Sequence, residues 1–223
     1  WLEDAGWEDE PLPFDQLPYA VDPPEGFLAT ANNNPTREKD GPFLGVDWLD
    51  GYRAARILEA LGDGQGRDVE SALKLQMDLH SIPWREMRYT VLSVSPSDED
   101  GRRALELLGE WDGELGPDSV EASVFQHFLS AMYRRIAQAR APRSWRWALG
   151  NGDNLIQPHT LLVVRRTGHL ARLLRDRPDG WFAEGWERTV ANALSEAMST
   201  PTKKPWGRIR PLTLVHPVAA EQK

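Results

Sequence analysis

The pattern of apolar and polar positions divides the chain into an extended, proline-broken opening and a long helical remainder. Over residues 1–25, Pro11, Pro13, Pro18, Pro23 and Pro24 each fix φ and remove a backbone donor, so this stretch reads as an extended segment lying on other polypeptide. From Gly26 to Asn32 the run FLATAN alternates as a strand does. Leu28, Thr30 and Asn32 fall on one face and Phe27, Ala29 and Ala31 on the other, until Asn33-Asn34-Pro35 breaks the pattern. Asn32 is therefore the last side chain on its face.

After a polar loop over 36–43, Asp50 stands where it caps a helix whose apolar positions Ala54, Ile57, Leu58 and Leu61 recur at helical spacing, and Gly62 stops it. A second helix is expected from about Asp68 to His80, followed by an irregular SIPWREMRY. A third opens at Ser97, with Asp100 in the capping-box position, and ends at Asp112-Gly113. The longest begins at Asp118, with Glu121 in the matching position. It runs to about Ala139 with a core stripe of Val124, Phe125, Phe128, Leu129, Met132 and Ile136. Residues 141–158 read as a loop carrying Trp145 and Trp147. One or two helices follow over about 160–175, weakened by Gly168, then another near 184–198, and a strand-like RPLTLVHP closes the chain. Two strands at opposite ends cannot make a stable sheet, so its remaining strands are expected in other polypeptide.

Composition narrows the class. The 223 residues are 40% hydrophobic, enough for a real core, and no run approaches the roughly 18 apolar residues of a spanning helix. The start lacks the order of a signal peptide. With no cysteine there is no disulfide, thiolate metal site or cysteine nucleophile in this chain, and the compartment stays open. The net charge of −8 is concentrated in residues 1–25, which hold eight acids and no Lys or Arg. The arginine-rich middle (Arg134, Arg135, Arg140, Arg143, Arg146, Arg165, Arg166) is interleaved with apolar helix positions, which favours solvated faces and ion pairs over nucleic-acid binding. The ten scattered Trp residues read as core anchors rather than a sugar-binding surface.

The simplest catalytic signatures are missing. His80, His127, His159, His169 and His216 form no HExxH pattern, and there is neither a G-x-S-x-G elbow nor a phosphate-cradling glycine loop. Ser71-Ala-Leu-Lys74 matches the S-x-x-K of β-lactam-binding serine enzymes and Arg166-Thr167-Gly168 loosely echoes their K-T-G, but the S-D-N element is absent, so a solvated helical face is the simpler reading. Asn32 and Arg53 are locally odder. An Arg in the first turn faces the positive end of the helix dipole, at a cost of about a few tenths of a kcal/mol, so something else should hold it. An Asn at a strand end would: its amide oxygen accepts from the guanidinium and its NH₂ points outward as a fixed donor, the form of a side-chain oxyanion hole. The bland alternative is a turn asparagine and a surface arginine.

The order PLPFDQLPYAVDPPEGFLATANNNP, VDWLDGYRAARI, ALKLQMD, LLGEWDGELGPDS and WGRIRPLTLVHP resembles the penicillin acylase family of N-terminal-nucleophile amidohydrolases over nearly the whole chain. Its most specific elements are ANN-P and W-x(4)-R-x(3)-I, supported by W-D-G-x(4)-D-S. The resemblance implies an α+β fold: a portion of an αββα sandwich, mostly its helical part, with sheet strands near both ends of the chain. Residues 1–223 would be a single incomplete domain, with an extended segment and strand over 1–35, a helical region over 48–200 and a returning strand over 206–217.

By the same resemblance Asn32 is the oxyanion donor and Arg53 orients it. The catalytic nucleophile is the N-terminal Ser of a larger chain, which lies upstream, so this polypeptide alone should be inactive. Ala31 stands where some members carry Trp. The implied partners are a smaller α chain, the remaining β-chain segment with its N-terminal Ser, and a small acyl amide substrate such as a β-lactam or N-acyl homoserine lactone. No nucleic acid and no membrane span are implied. A periplasmic or secreted location also follows from the resemblance alone. No cofactor is required for the chemistry. A structural Ca²⁺ is common in the family, with Asp40 and Asp47 as candidates for an acidic ligand, neither of them assignable. A catalytically silent scaffold or partner chain is the alternative.

Overall fold

The computed structural model describes residues 10–36, 41–62, 64, 68–150, 162–199 and 204–211, and these divide into two compact units, 1–76 and 77–223. In the first unit the proline-rich opening is extended apart from one 3-10 turn at Phe14–Gln16, and a turn closed by Gly26 N–H donating to Pro23 O at 2.8 Å leads into the FLATAN run. That run carries no ladder, yet its burial alternates with period two: Phe27 and Ala29 are half-buried, Ala31 is buried, and Leu28, Thr30 and Asn32 are exposed. The sequence pattern thus sets the faces, while the neighbours that would pair with this backbone are not among the described residues. Helices α1 (Tyr52–Gly62) and α2 (Val69–Gln76) complete the unit.

The second unit is helical: α3 (Ile82–Leu92), α4 (Glu99–Glu110), α5 (Val120–Arg140), the single turn α6 (Trp145–Ala148), α7 (Leu162–Asp176), α8 (Gly185–Ser199) and the turn α9 (Trp206–Ile209). α8 packs on both α4 and α5, and α3 packs on α7. The core stripe expected on α5 is present, with Phe125, Phe128 and Met132 buried against Leu108 of α4 and Val190 and Leu194 of α8.

Several local expectations change, among them the end of α2 at Gln76 rather than His80 and the helical turn α6 inside the expected loop over 141–158. SIPWREMRY is helical: Ser81 caps α3 by accepting from Trp84 N–H at 3.3 Å, and Pro83 lies in the first turn, where its missing donor costs nothing. The cap of α4 is Asp98, which accepts from Gly101 N–H at 2.8 Å, one residue after Ser97. α5 is capped by Ser119 rather than Asp118, with Ser119 Oγ also donating to Glu121 at 2.9 Å. At the end of the chain, Trp206–Ile209 is a helical turn begun by Pro205, not a strand, and it hangs on α5 through Trp206 N–H to Ser119 O at 2.9 Å and Gly207 N–H to Pro117 O at 2.8 Å. Residues 212–217 of the expected strand lie outside the described residues. Among those described, the β-type pairing is a single bridge, His80 to Glu114.

The W-D-G-x(4)-D-S segment is the knot of this unit. Trp111 lies with ring centroids 5.3 Å from Trp84 and 5.5 Å from Phe125, and its Nε1 donates to Glu114 O at 3.1 Å. Gly113 holds φ at +90°, and its carbonyl accepts from Ser81 N–H at 2.9 Å. A Cβ there would come within 3.1 Å of Trp84 Cδ1, so glycine is required both by the turn and by the tryptophan packed over it. The motif therefore joins the starts of α3 and α5 and serves packing.

Candidate active site

The ANNNP segment and the start of α1 meet inside the first unit. Arg53 Nη2 donates to Asn32 Oδ1 at 2.7 Å and to the carbonyl of Ala31 at 2.9 Å. Two acceptors on one guanidinium nitrogen explain how an arginine is kept in a first turn that contains no acidic residue. The chain is also tied at a second point, where Leu49 N–H donates to Asn32 O at 2.9 Å. The VDWLD segment thus grips the backbone of Asn32 while α1 grips its side chain. Trp48 Nε1 donates to Gly45 O at 3.1 Å, which folds the loop leading into that grip.

Asn32 sits at φ +60°, in the left-handed region that asparagine tolerates far better than β-branched or bulky residues. The alternating pattern of FLATAN located this residue at the end of the run but gave no sign of the backbone reversal or of the Ala31 carbonyl as a second acceptor for Arg53.

The three consecutive asparagines separate by their bonds. Asn33 Oδ1 accepts from Ala31 N–H at 3.0 Å and its amide nitrogen donates to Asn34 O at 3.1 Å. Asn34 Oδ1 accepts from Thr36 N–H at 3.0 Å and Thr36 Oγ1 at 2.7 Å. Both therefore shape the loop. Asn32 alone is oriented by a residue far along the chain, and because its oxygen must face the donating guanidinium, its NH₂ points the other way. Among the described residues that NH₂ has no acceptor, and Asn32 is exposed. A polar donor whose direction is fixed in advance is what a side-chain oxyanion hole consists of.

Ser71 and Lys74 do not come together as a catalytic pair. Ser71 N–H donates to Asp68 Oδ1 at 2.9 Å and Ser71 Oγ donates to Asp68 O at 2.9 Å, so the serine closes a cap at the start of α2. The hydrogen bonds from Ser71 hold the Asp68 carboxyl below the usual aspartate range. Lys74 pairs with Glu70 at 3.0 Å on an open surface. Arg166 and Thr167 lie on α7 in the other unit, where Thr167 Oγ1 shares a 2.8 Å hydrogen bond with Tyr133.

For a metal, no group of three or more His, Cys, Asp or Glu side chains converges among the described residues. Asp47 is exposed, and Asp40 lies outside the described residues.

This arrangement holds the Asn32 amide in one fixed direction. The family model for penicillin amidase matches residues 1–223, and the chain belongs to that family. It is 26% identical over 232 residues to penicillin acylase 2 proenzyme of Pseudomonas sp. (strain SE83), covering 99% of this chain and 29% of that protein. It is 25% identical over 154 residues to acyl-homoserine lactone acylase QuiP of Pseudomonas fluorescens (strain Pf0-1), covering 61% of this chain and 19% of that protein. The QuiP acylase of Pseudomonas aeruginosa (strain PAO1) is 28% identical over 135 residues, covering 53% of this chain and 16% of that protein. The chain thus spans less than a third of the length of these relatives. Among the described residues no helix is long and apolar enough to cross a membrane.

Proposed function

We propose that this chain supplies part of the active site of an amide hydrolase that cleaves N-acyl amides through an acyl-enzyme, with Asn32 as oxyanion donor and Arg53 as the residue that positions it. The observation that carries this reading is the 2.7 Å bond from Arg53 Nη2 to Asn32 Oδ1, which leaves the asparagine NH₂ directed and unengaged. Relatives named penicillin acylase and acyl-homoserine lactone acylase support an acylated amine, such as a penicillin or an acyl-homoserine lactone, as the substrate class.

In the proposed sequence, an N-terminal serine hydroxyl carried by polypeptide outside this chain attacks the amide carbonyl, and its own α-amine takes the proton. Negative charge gathers on the carbonyl oxygen, and the Asn32 NH₂ donates to it. The amine leaves with a proton, and water then releases the acid from the ester. Because the oxyanion exists only along the reaction path, the donor acts on kcat rather than on ground-state binding. A smaller α chain and the remaining β-chain segment complete the site, and the enzyme works in the periplasm or outside the cell. A structural Ca²⁺, which takes roughly 6–8 oxygen ligands, would draw one acidic ligand from the 36–47 loop, Asp40 or Asp47, and its other oxygens from elsewhere.

The test is Asn32→Ala in the complete enzyme. Loss of one such donor lowers kcat by about 10²–10³ with KM little changed and the fold intact by circular dichroism. Unchanged turnover removes Asn32 from the mechanism and leaves a scaffold role for this chain.

A further inference from the structure

In the helical unit, α5, α6, α7 and the loop before α8 line a half-open pocket of about 190 Å³ whose composition is unusual for a packing defect. Its walls are mostly apolar, formed by α5, α7 and Leu149, and two arginines stand at its edge. The Arg140 guanidinium lies 4.9 Å from the centroid of the Trp181 ring, and that of Arg166 lies 4.6 Å from the centroid of Tyr133. Stacking on aromatic faces fixes both planar groups without using their donors. Arg166 Nη1 donates to Leu149 O at 3.2 Å, and neither arginine has a carboxylate partner among the described residues. By contrast, Arg134 and Arg135, on the same helix, both close on Glu196.

The geometry points to a binding site in this cavity for a small carboxylate that carries an apolar body of about ring size. An apolar cavity of about 150 Å³ admits benzene, so this one has room for a six-membered ring or a short branched alkyl chain. The two guanidinium groups offer the planar donors that a carboxylate accepts best. His169, also on the wall, has its pKa lowered by burial and by the charge of Arg172, so near neutral pH it adds a neutral ring rather than a third charge. An uncharged ligand would leave the guanidinium donors without a match, and acetate would leave the apolar wall uncovered. Neither Arg140 nor Arg166 has a part in the proposed amide hydrolysis.

Benzoate is the probe, titrated by calorimetry into the intact protein that carries this chain, with benzyl alcohol and acetate as comparisons. Benzoate is expected to bind at least about tenfold more tightly than either, and Arg140→Gln and Arg166→Gln are each expected to weaken it by about tenfold or more. Arg140 is exposed, so Arg140→Gln keeps the test valid if loss of the Leu149 contact disturbs the Arg166 variant. Three results overturn the site: benzyl alcohol binding as well as benzoate, benzoate binding that survives Arg140→Gln unchanged, or no benzoate binding at all. The last is the result expected if an acidic side chain from outside this chain occupies the cavity.

Discussion

A left-handed backbone at the residue proposed to donate makes Asn32 a sharper target than an ordinary surface amide. Alanine at φ +60° carries a strain of roughly 1–2 kcal/mol, so Asn32→Ala mixes backbone strain with donor loss, whereas glycine accepts this conformation freely. Asn32→Gly is therefore expected to keep the thermal midpoint of the parent more closely than Asn32→Ala, while both lose kcat to the same degree, about 10²–10³. Equal unfolding curves with unequal kcat would instead assign the effect to backbone placement. Arg53→Lys separates positioning from donation. A single ammonium cannot span the Ala31 carbonyl and Asn32 Oδ1 with the fork of a guanidinium, so the amide loosens but survives. The expected loss is about tenfold in kcat, smaller than that of either Asn32 variant, with KM unchanged. A loss in Arg53→Lys as deep as that in Asn32→Gly would mean that Arg53 touches the substrate itself. Most of this pair was legible in the sequence, because a first-turn arginine and a strand-end asparagine each need a partner. The φ reversal was not, since an ANNNP segment fits several turn geometries and only the Leu49 and Arg53 bonds select one.

Between elements, the joint of α4 with α8 decides two effects of opposite origin. Gly101 lies in the first turn of α4, where alanine would ordinarily gain about 1 kcal/mol of helix propensity. A Cβ there would fall 2.4 Å from Pro96 Cβ and 2.7 Å from Ser195 Oγ, and the Pro96 ring cannot turn aside. Overpacking of this kind costs about 1–3 kcal/mol, so Gly101→Ala is expected to lower the midpoint of thermal unfolding, and a rise would show that the 95–98 loop yields.

Glu196 of α8 accepts from Arg134 at 2.6 Å and from Arg135 at 2.7 Å. Burial, the largest single influence, raises its pKa, but the hydrogen bonds and charges of the two arginines together hold it below the usual glutamate range. A carboxyl depressed on folding contributes stability that is complete above its unfolded pKa, near 4.3, and is lost as pH falls toward the folded value. Glu196→Gln should therefore be less stable than the parent at neutral pH and should approach it in acid, as read from denaturant midpoints between about pH 7 and pH 3. A constant difference across that range would assign the loss to packing. The helices themselves were largely readable from apolar spacing, with the caps of α4 and α5 one residue later than the sequence suggested. α3 was not, because Ile82-Pro83-Trp84 reads as a break unless Ser81 is recognised as the cap that makes a first-turn proline harmless.

At the scale of the whole molecule, apolar burial differs sharply between the two units. Among the described residues, Ala31 and Ala54 are the buried hydrophobic side chains of residues 10–76, while Trp84, Phe128, Met132, Leu170, Val190 and Leu194 sit in a continuous core of the second unit. In the first unit Phe14, Tyr19, Val21, Phe43 and Val69 are each more than 70% exposed. Few soluble surfaces carry so many large apolar groups without covering them, and the chain spans only 29% of the penicillin acylase relative that it matches over 99% of its own length. This is why strand pairing was the least legible part of the fold: the FLATAN pattern fixes which faces are inner and outer, but no pairing partner for it stands among the described residues. It also sets a test. Limited proteolysis of this chain produced by itself should cut within residues 10–76 first, since opening there sacrifices almost no buried apolar surface, and should leave a resistant helical fragment beginning near Met77. In the complete enzyme the same bonds should be protected. Equal resistance of both units in the isolated chain would mean that residues 10–76 are stabilised from within, and that their exposed apolar side chains do not await the rest of the protein.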